Sequence, residues 1–288
     1  MAAGQNYGTN TSSLMDKPLA LKSVVTPVLG DNGYKFDGAG GIQVINTQNG
    51  TAVTYNETAT TGATPVLVNN DTETLTLSYN KAIFARIQQT LIQDTPVANF
   101  VAQWAKQQIE QVFVPGYDVY ALNKIVVGRA TANDVTVTVT SGALPTSGLS
   151  KLFGKAFINI RANGADASNT VAWVADSFAN ELADQVAFTG SDAGYNGAIA
   201  AAFLGKLKGV ICIATPDAYF TAVSTKPVYV IMADKRALVN VSPKMNPSNY
   251  VVIPHVSGFS GPEVQIRHRA DLFVLDKKTG NISIILSA

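Results

Sequence analysis

A single cysteine and two histidines in 288 residues leave little material for redox, metal or nucleophilic chemistry. One thiol excludes an intrachain disulfide, and Cys212, inside Val210-Ile211-Cys212-Ile213, reads as a core thiol on a buried strand. One Cys and two separated His cannot supply a structural zinc cage. Charge is also scarce: Asp, Glu, Lys and Arg make up 14% of residues, where about a quarter is usual. The surface must therefore be rich in Thr, Ser, Asn and Gln, with much of it covered by partners. No stretch approaches the roughly 18 apolar residues of a membrane-spanning helix. Met1 to Thr9 shows no basic segment followed by an apolar run, so neither export by that route nor membrane embedding is expected, and synthesis inside the cell is natural.

What is present suffices for a large core. At 47% hydrophobic, the chain can bury one large domain or two smaller ones. A net charge of +1 does not suit a strongly basic polyanion binder. The charge is unevenly spread: residues 206–288 hold ten Lys/Arg against five Asp/Glu, leaving eleven against fifteen for the rest. A basic end and an acidic remainder suit head-to-tail contact between identical copies, and equally two solvated faces.

Along the chain, residues 1–35 contain Gly, Asn, Thr and Ser with little hydrophobic periodicity, as expected of an arm that is disordered until docked. Two extended runs, Ile42 to Tyr55 and Val66 to Ile87, flank a polar tip from Asn56 to Thr64. In the second run Leu75, Leu77 and Tyr79 alternate with Thr74, Thr76 and Ser78, the period of a half-buried strand. Such a ribbon has nothing of its own to pack on and is marginal alone, so it is expected to lie on a neighbouring subunit. A long helix starts after Asp94 or Thr95, with Pro96 at its first position and an apolar stripe of Val97, Val101, Trp104, Ile109, Val112 and Phe113. Pro115 and Gly116 should kink or break it before it resumes over Tyr117 to Val127.

Val135, Val137 and Val139 then alternate with threonines as a strand. An amphipathic helix follows, with Leu149, Leu152, Phe153, Ala156, Phe157 and Ile160 on one face, Ser147 as N-cap and Gly164 as stop. The strand Val171 to Ala175 leads into a helix opened by Asp176 or Ser177 that carries Phe178, Leu182 and Val186. A flexible stretch, Thr189 to Gly197, precedes strands at Val210 to Ala214 and Val228 to Met232. Further strands read at Tyr250 to Ile253, Glu263 to Arg267, Leu272 to Leu275 and Ile282 to Leu286, with a turn at Asp276 to Gly280. The class is α+β.

Catalysis would have to rest on His255 or His268, and neither has a nucleophile and an orienting carboxylate in a recognisable local signature. Gly258-Phe259-Ser260-Gly261 lacks the last glycine of a nucleophile elbow, since position 262 is Pro, and reads as a turn. His268, in the basic run Gln265 to Arg269, reads as a solvated or interface-facing strand residue. Gly38, Gly40 and Gly41 form no dinucleotide fingerprint and no phosphate-binding loop motif occurs. Asp176, Glu181 and Asp184 read as a capped, solvated helix face rather than a cation site. No catalytic, cofactor-binding or metal-binding residue is assigned.

Several separated segments in the right order resemble the major capsid proteins of tailed bacteriophages with the HK97 fold. They are Gly41-Ile42-Gln43-Val44; Glu73 to Leu77 running into Phe84-Ala85-Arg86-Ile87; Gln107 to Asp118; Thr170 to Val174; Leu207 to Ala214; and Asp271 to Asp276. The resemblance covers about residues 36–288 and implies an arm at 1–35 and a peripheral domain at 36–145. That domain would hold an extended loop near 46–80, reaching over the adjacent subunit, and a spine helix near 95–126. An axial α/β domain would occupy 146–250, and closing strands at 251–288 would return to the peripheral domain.

The implied function is self-assembly into hexamers and pentamers of an icosahedral head around double-stranded DNA, without catalysis or cofactor. The place would be the virion after synthesis in the bacterial host cytoplasm, and scaffolding, portal and decoration proteins would be partners. Contact with the genome would be sparse, through scattered Lys and Arg. An encapsulin-like compartment holding an enzyme cargo is the alternative, with another phage structural protein such as a tail tube, or an unrecognised hydrolase, behind it. Some relatives join the loop to a neighbour through a Lys to Asn isopeptide bond. Residues 36–80 contain no lysine, and Lys81 lies beyond the loop, so no such crosslink is expected. A long N-terminal scaffold-like extension is also lacking, and proteolytic trimming of the arm stays open.

Overall fold

The computed structural model describes residues 22–29, 41–47, 70–94, 99–140, 142–186, 203–241, 250–254 and 258–288. In chain order, a short helix α1 (Thr26–Leu29) is followed by the antiparallel pair β1 (Gly41–Thr47) and β2 (Asn70–Thr76), then by β3 (Tyr79–Arg86) and α2 (Gln89–Asp94). The expected run from Val66 to Ile87 is therefore two strands. The tip of the hairpin, the stretch from Thr189 to Gly197, Pro96 and His255 lie outside the described residues.

The long helix comes next: α3 (Phe100–Gln108), a π-helical turn at Ile109–Phe113, and α4 (Val114–Val127). Of the kink or break expected at Pro115 and Gly116, there is no break: the helix runs on, its regularity interrupted just ahead of the proline. A proline lacks the N–H and crowds the carbonyl one turn back. The π turn just ahead of it takes an extra residue, with the Val114 N–H donating to the Ile109 carbonyl, and the chain stays helical through the proline.

The remaining elements are β4 (Val135–Val137), α5 (Leu149–Arg161), β5 (Thr170–Ala175), α6 (Asp176–Gln185), β6 (Phe203–Leu207), β7 (Val210–Thr215), β8 (Val228–Asp234), β9 (Leu238–Val241), β10 (Tyr250–Ile253), β11 (Glu263–Val274) and β12 (Ile282–Ser287). Six strands form one mixed sheet in the order β4-β12-β8-β5-β7-β6. Every residue of β5 is buried, as suits a strand covered on both faces. Val171 and Trp173 pack with α4 and the segment around Val24 to Leu29, while Ala172 and Val174 pack with α5 and α6. The result is helix, sheet and helix pair in three layers around a shared core.

A second sheet, β10-β11-β3, lies against α3 and the π turn through Val264, Ile266, Ile109 and Phe113. β11 is one strand where the sequence suggested two. It changes partner midway, pairing with β3 through Ala270 and with β9 from Asp271.

Two further expectations are corrected. The residue before α5 is Gly148, at φ 89°, rather than a Ser147 cap; only glycine takes that left-handed turn freely, and the Leu149 N–H is met by Gln185 Oε1 of α6 at 2.9 Å. The stop at Gly164 (φ 86°) is as expected, with the Ala165 N–H reaching the Ile160 carbonyl. Part of the arm is also built into the core: Val24, Val25, Val28 and Leu29 are buried. Trp173 Nε1 donates to the Val24 carbonyl at 3.0 Å.

Candidate assembly surfaces

The hairpin is rooted rather than free. Val44 of β1 and Leu75 of β2 are buried against Val239 and Leu275, beside Val241 and Phe273. Thr74 and Thr76 stay exposed, so the ribbon has one apolar face and one hydroxylic face, as its alternation indicates. Where β2 turns into β3, the fully buried Asp271 carboxylate gathers four hydrogen bonds. Ser78 donates to Oδ2 from its amide at 2.6 Å and its hydroxyl at 2.7 Å, while the Tyr120 hydroxyl and the Leu272 amide each donate to Oδ1 at 2.8 Å. The Tyr117 hydroxyl donates to Asn240 Oδ1 at 2.5 Å and lies 3.0 Å from the Asp271 carbonyl. This network ties the root of the hairpin to α4 and to the joint of β11.

A second buried carboxylate, Asp118, holds the arm. Oδ1 accepts from the Ser23 hydroxyl at 2.7 Å and Oδ2 from the Val24 amide at 2.8 Å. Burial pushes this carboxyl up to about 6, with the bonds from Ser23 and Val24 pulling the other way. Both carboxylates escaped the sequence reading. The signal was there: each is a lone acid inside an apolar run, Tyr117-Asp118-Val119 and Ala270-Asp271-Leu272, where a charge persists only if hydrogen-bonded.

The outer face of the β10-β11-β3 sheet carries apolar groups in the open. Phe84, 58% exposed, and Val251 flank Gln265 in register across the three strands. Arg267 and Arg269 continue that face on β11, and Arg86 pairs with Glu263 at 3.0 Å at its other end. Ile45 on the hairpin and Ile158 on α5 are further exposed apolar side chains.

His268 is not the solvated strand residue its basic neighbours suggested. It is 3% exposed, pointing inward among the rings of Tyr79, Phe113 and Tyr117, and neither ring nitrogen has a hydrogen-bond partner among the described residues. Alternation explains it: Val264, Ile266 and His268 share the inner face of β11, while Arg267 and Arg269 face out. Burial pushes the imidazole down to about 4. Among the described residues no carboxylate or hydroxyl hydrogen-bonds to it, as a catalytic base would require.

Cys212 is fully buried in β7, its thiol pushed up to about 12 by burial. Ser260 sits in a turn in which the Ile87 amide donates to the Pro262 carbonyl and the Gln89 amide to the Ser260 carbonyl. Asp176 opens α6 as expected, with Glu181 and Asp184 along the same helix. Among the described residues no three His, Cys, Asp or Glu side chains lie together as metal ligands, and no helix is long and apolar enough to cross a membrane.

Neither the known family models nor the curated proteins contain a match to this chain. Solved structures do match. The chain is similar to a structure from Mycobacterium phage Che8, at 12% identity and a TM-score of 0.68 over 98% of both chains. It is similar to the capsid of cyanophage P-SCSP1u, at 11% identity and a TM-score of 0.70 over 98% of this chain and 93% of that one. The capsid of a native GTA particle matches at 13% identity and a TM-score of 0.64, over 100% of both. At such identities the likeness is one of architecture, and it runs the whole length of the chain: this protein has the HK97-like fold of phage capsid subunits.

Proposed function

We propose that this chain is a major capsid protein, polymerising into hexamers and pentamers of an icosahedral phage head around double-stranded DNA. The observation that carries the reading is the end-to-end match, in both directions, to capsid subunits. A rooted hairpin of apolar and hydroxylic faces, with an exposed sheet face bearing Phe84 and Val251, supports it. The ribbon is rooted on Val239 and Leu275 and leaves Ile45, Thr74 and Thr76 open to a second copy, and a heterologous contact repeated about an axis closes into rings.

In this reading the function is structural, not catalytic, and the protein resides in the virion after synthesis in the host cytoplasm. Residues 36–145 form a peripheral domain and 146–250 an axial one; of the closing strands in 251–288, β11 returns to the peripheral domain by pairing with β3, whereas β12 departs from the expectation and pairs with β8 of the axial sheet. Portal and decoration proteins are partners, with a scaffold where assembly needs one. DNA contacts are sparse and sequence-independent.

The test is negative-stain electron microscopy of the purified protein with its ratio of absorbance at 260 to 280 nm after nuclease treatment and sizing. Closed shells or rings support the reading, and nuclease-protected nucleic acid identifies a genome container. A co-purifying enzyme in closed shells would replace the genome with a cargo. A monomer without rings at high concentration, in the presence of the other phage proteins as well, refutes assembly.

A further inference from the structure

Helices α5 and α6 lie side by side on one face of the six-stranded sheet and carry opposite charge. In thirteen residues α5 has Lys151, Lys155 and Arg161, all exposed, and no acid. Lys208, from the turn between β6 and β7, adds its ammonium, which reaches into the space that the missing side chain of Gly154 leaves. In ten residues α6 has Asp176, Glu181 and Asp184 and no base. Asp217 lies at its start, accepting from the Ser177 amide at 3.1 Å.

None of these charged side chains forms an ion pair among the described residues. Like charges three or four residues apart on a helix, as in Lys151 with Lys155 and Glu181 with Asp184, repel. The Asp176 carboxyl sits above its ordinary range, first through burial and then through the nearby Asp217 charge. Neither set of like charges is matched by an ion pair among the described residues of one subunit, and each helix carries what the other lacks.

The basic stripe also has an apolar centre. Ile158, 66% exposed, follows Lys155 by three residues and Lys151 by seven, so it lies on the same helical face. An apolar contact inside a charged rim is the make-up of a protein–protein surface. Placement favours a repeated contact, because α5 packs over β4, β12 and β8, whereas α6 packs over β8, β5 and β7. The two helices thus cover different halves of the sheet, and a contact between unlike surfaces of two copies is of the head-to-tail kind.

We propose that the basic face of α5, around Ile158, docks on the acidic face of α6 in a neighbouring copy of this chain. The proposal rests on the capsid reading above and names the residues of one of its contacts. Nucleic acid is the poorer occupant, because it would match the cations of α5 and leave the acidic face of α6 without a counterpart.

The experiment compares three variants with wild type by sedimentation and electron microscopy: Lys151→Glu with Lys155→Glu, Asp176→Lys with Asp184→Lys, and the four changes together. Each pair alone places like charges across the contact, and the assembled fraction is expected to fall at least tenfold. The four together recreate attraction with its sense reversed and should restore assembly. Thermal unfolding of the unassembled subunits separates loss of contact from loss of fold. As a milder pair, Lys151→Gln with Lys155→Gln should weaken assembly and flatten its dependence on salt.

The docking is overturned if wild type assembles and either reversed pair assembles equally well, or if the fourfold variant folds and stays unassembled. It is also overturned if the α5 reversal spares assembly and removes only bound nucleic acid. If wild type itself never forms rings, the capsid reading falls first and the docking with it.

Discussion

Replacing Asp271 by Asn tests whether the hairpin root is held by charge or by shape. The two side chains are nearly identical in size, so packing is unchanged. The carboxylate accepts four hydrogen bonds, from the Ser78 amide and hydroxyl, the Tyr120 hydroxyl and the Leu272 amide. An amide has one acceptor oxygen, and its NH2 must face two of these donors. With the oxygen kept toward Ser78, the Tyr120 hydroxyl can rotate and accept instead, but the buried Leu272 N–H is left without an acceptor. That orphan costs about 1–3 kcal/mol, and the bonds that lose their ionic partner give up about 1 kcal/mol or more between them. The expected loss is therefore about 3 kcal/mol in the unassembled subunit, or a fall of about 5 °C in melting temperature for a chain of this size. Ser78→Ala, which deletes a single hydroxyl, should cost about 1 kcal/mol. Urea titration gives the magnitude, and hydrogen exchange at the Ser78 and Leu272 amides gives the place. An Asp271→Asn subunit within about 0.5 kcal/mol of wild type, with both amides still protected, would refute the charge-held root.

Three further outcomes follow from the buried groups and the sequence. Asp118, raised to about 6, contributes stability that is full below its unfolded value of 3.8 and is lost as pH rises through 6; His268, lowered to about 4, contributes stability that is present above 6.5 and lost as pH falls toward 4. Between pH 7 and 5 the two nearly offset, so His268→Leu should leave a subunit more stable at pH 5 by about 1 kcal/mol, while Asp118→Asn should lose about 2 kcal/mol over the same interval. Equal denaturation curves at the two pH values for both variants would contradict the assignment. Gly261→Ala should destabilise by 2 kcal/mol or more as an order of magnitude, because φ is 139° and the new methyl meets the Ile87 carbonyl; thermal melts read this directly. Purified shells boiled in reductant should run as one monomer band, since residues 36–80 have no lysine, and a covalent ladder would contradict that.

How much of this was legible in the chain depended on whether one residue type or a spatial neighbour decided the outcome. The helix over Leu149 to Ile160 and the strand over Val171 to Ala175 were readable because burial alone sets their periods. The cap of α5 was not, since the group that satisfies Leu149 is Gln185, thirty-six residues away. How Pro115 is accommodated was hidden for a similar reason: the proline rule allows a kink or a break, and the π turn that spares the break lies in the residues before it. The arm looked featureless because the helical spacing of Val24, Val25, Val28 and Leu29 lasts little more than one turn, too short to read against the polar residues around it; these side chains pack with α4 and β5.

His268 and the charge pattern show the same limit at the level of the surfaces. Arginines on both sides made His268 look solvated, yet neighbours along a strand point to opposite faces, so the two arginines place it inward once β11 is known to cover the helix. The apolar members Val264 and Ile266, four and two residues before it, already marked that face. Charge was counted over segments too long to be informative. The split between residues 206–288 and the rest averages a wholly basic α5 with a wholly acidic α6, which cancel within the part counted as acidic. Opposite charges meant for two copies of one chain must sit on separate elements of each copy, and a sum over the chain hides them. The relevant unit is the exposed face of one helix, and at a net charge of +1 the chain still carries one wholly basic and one wholly acidic helix, the complementarity on which the proposed docking rests.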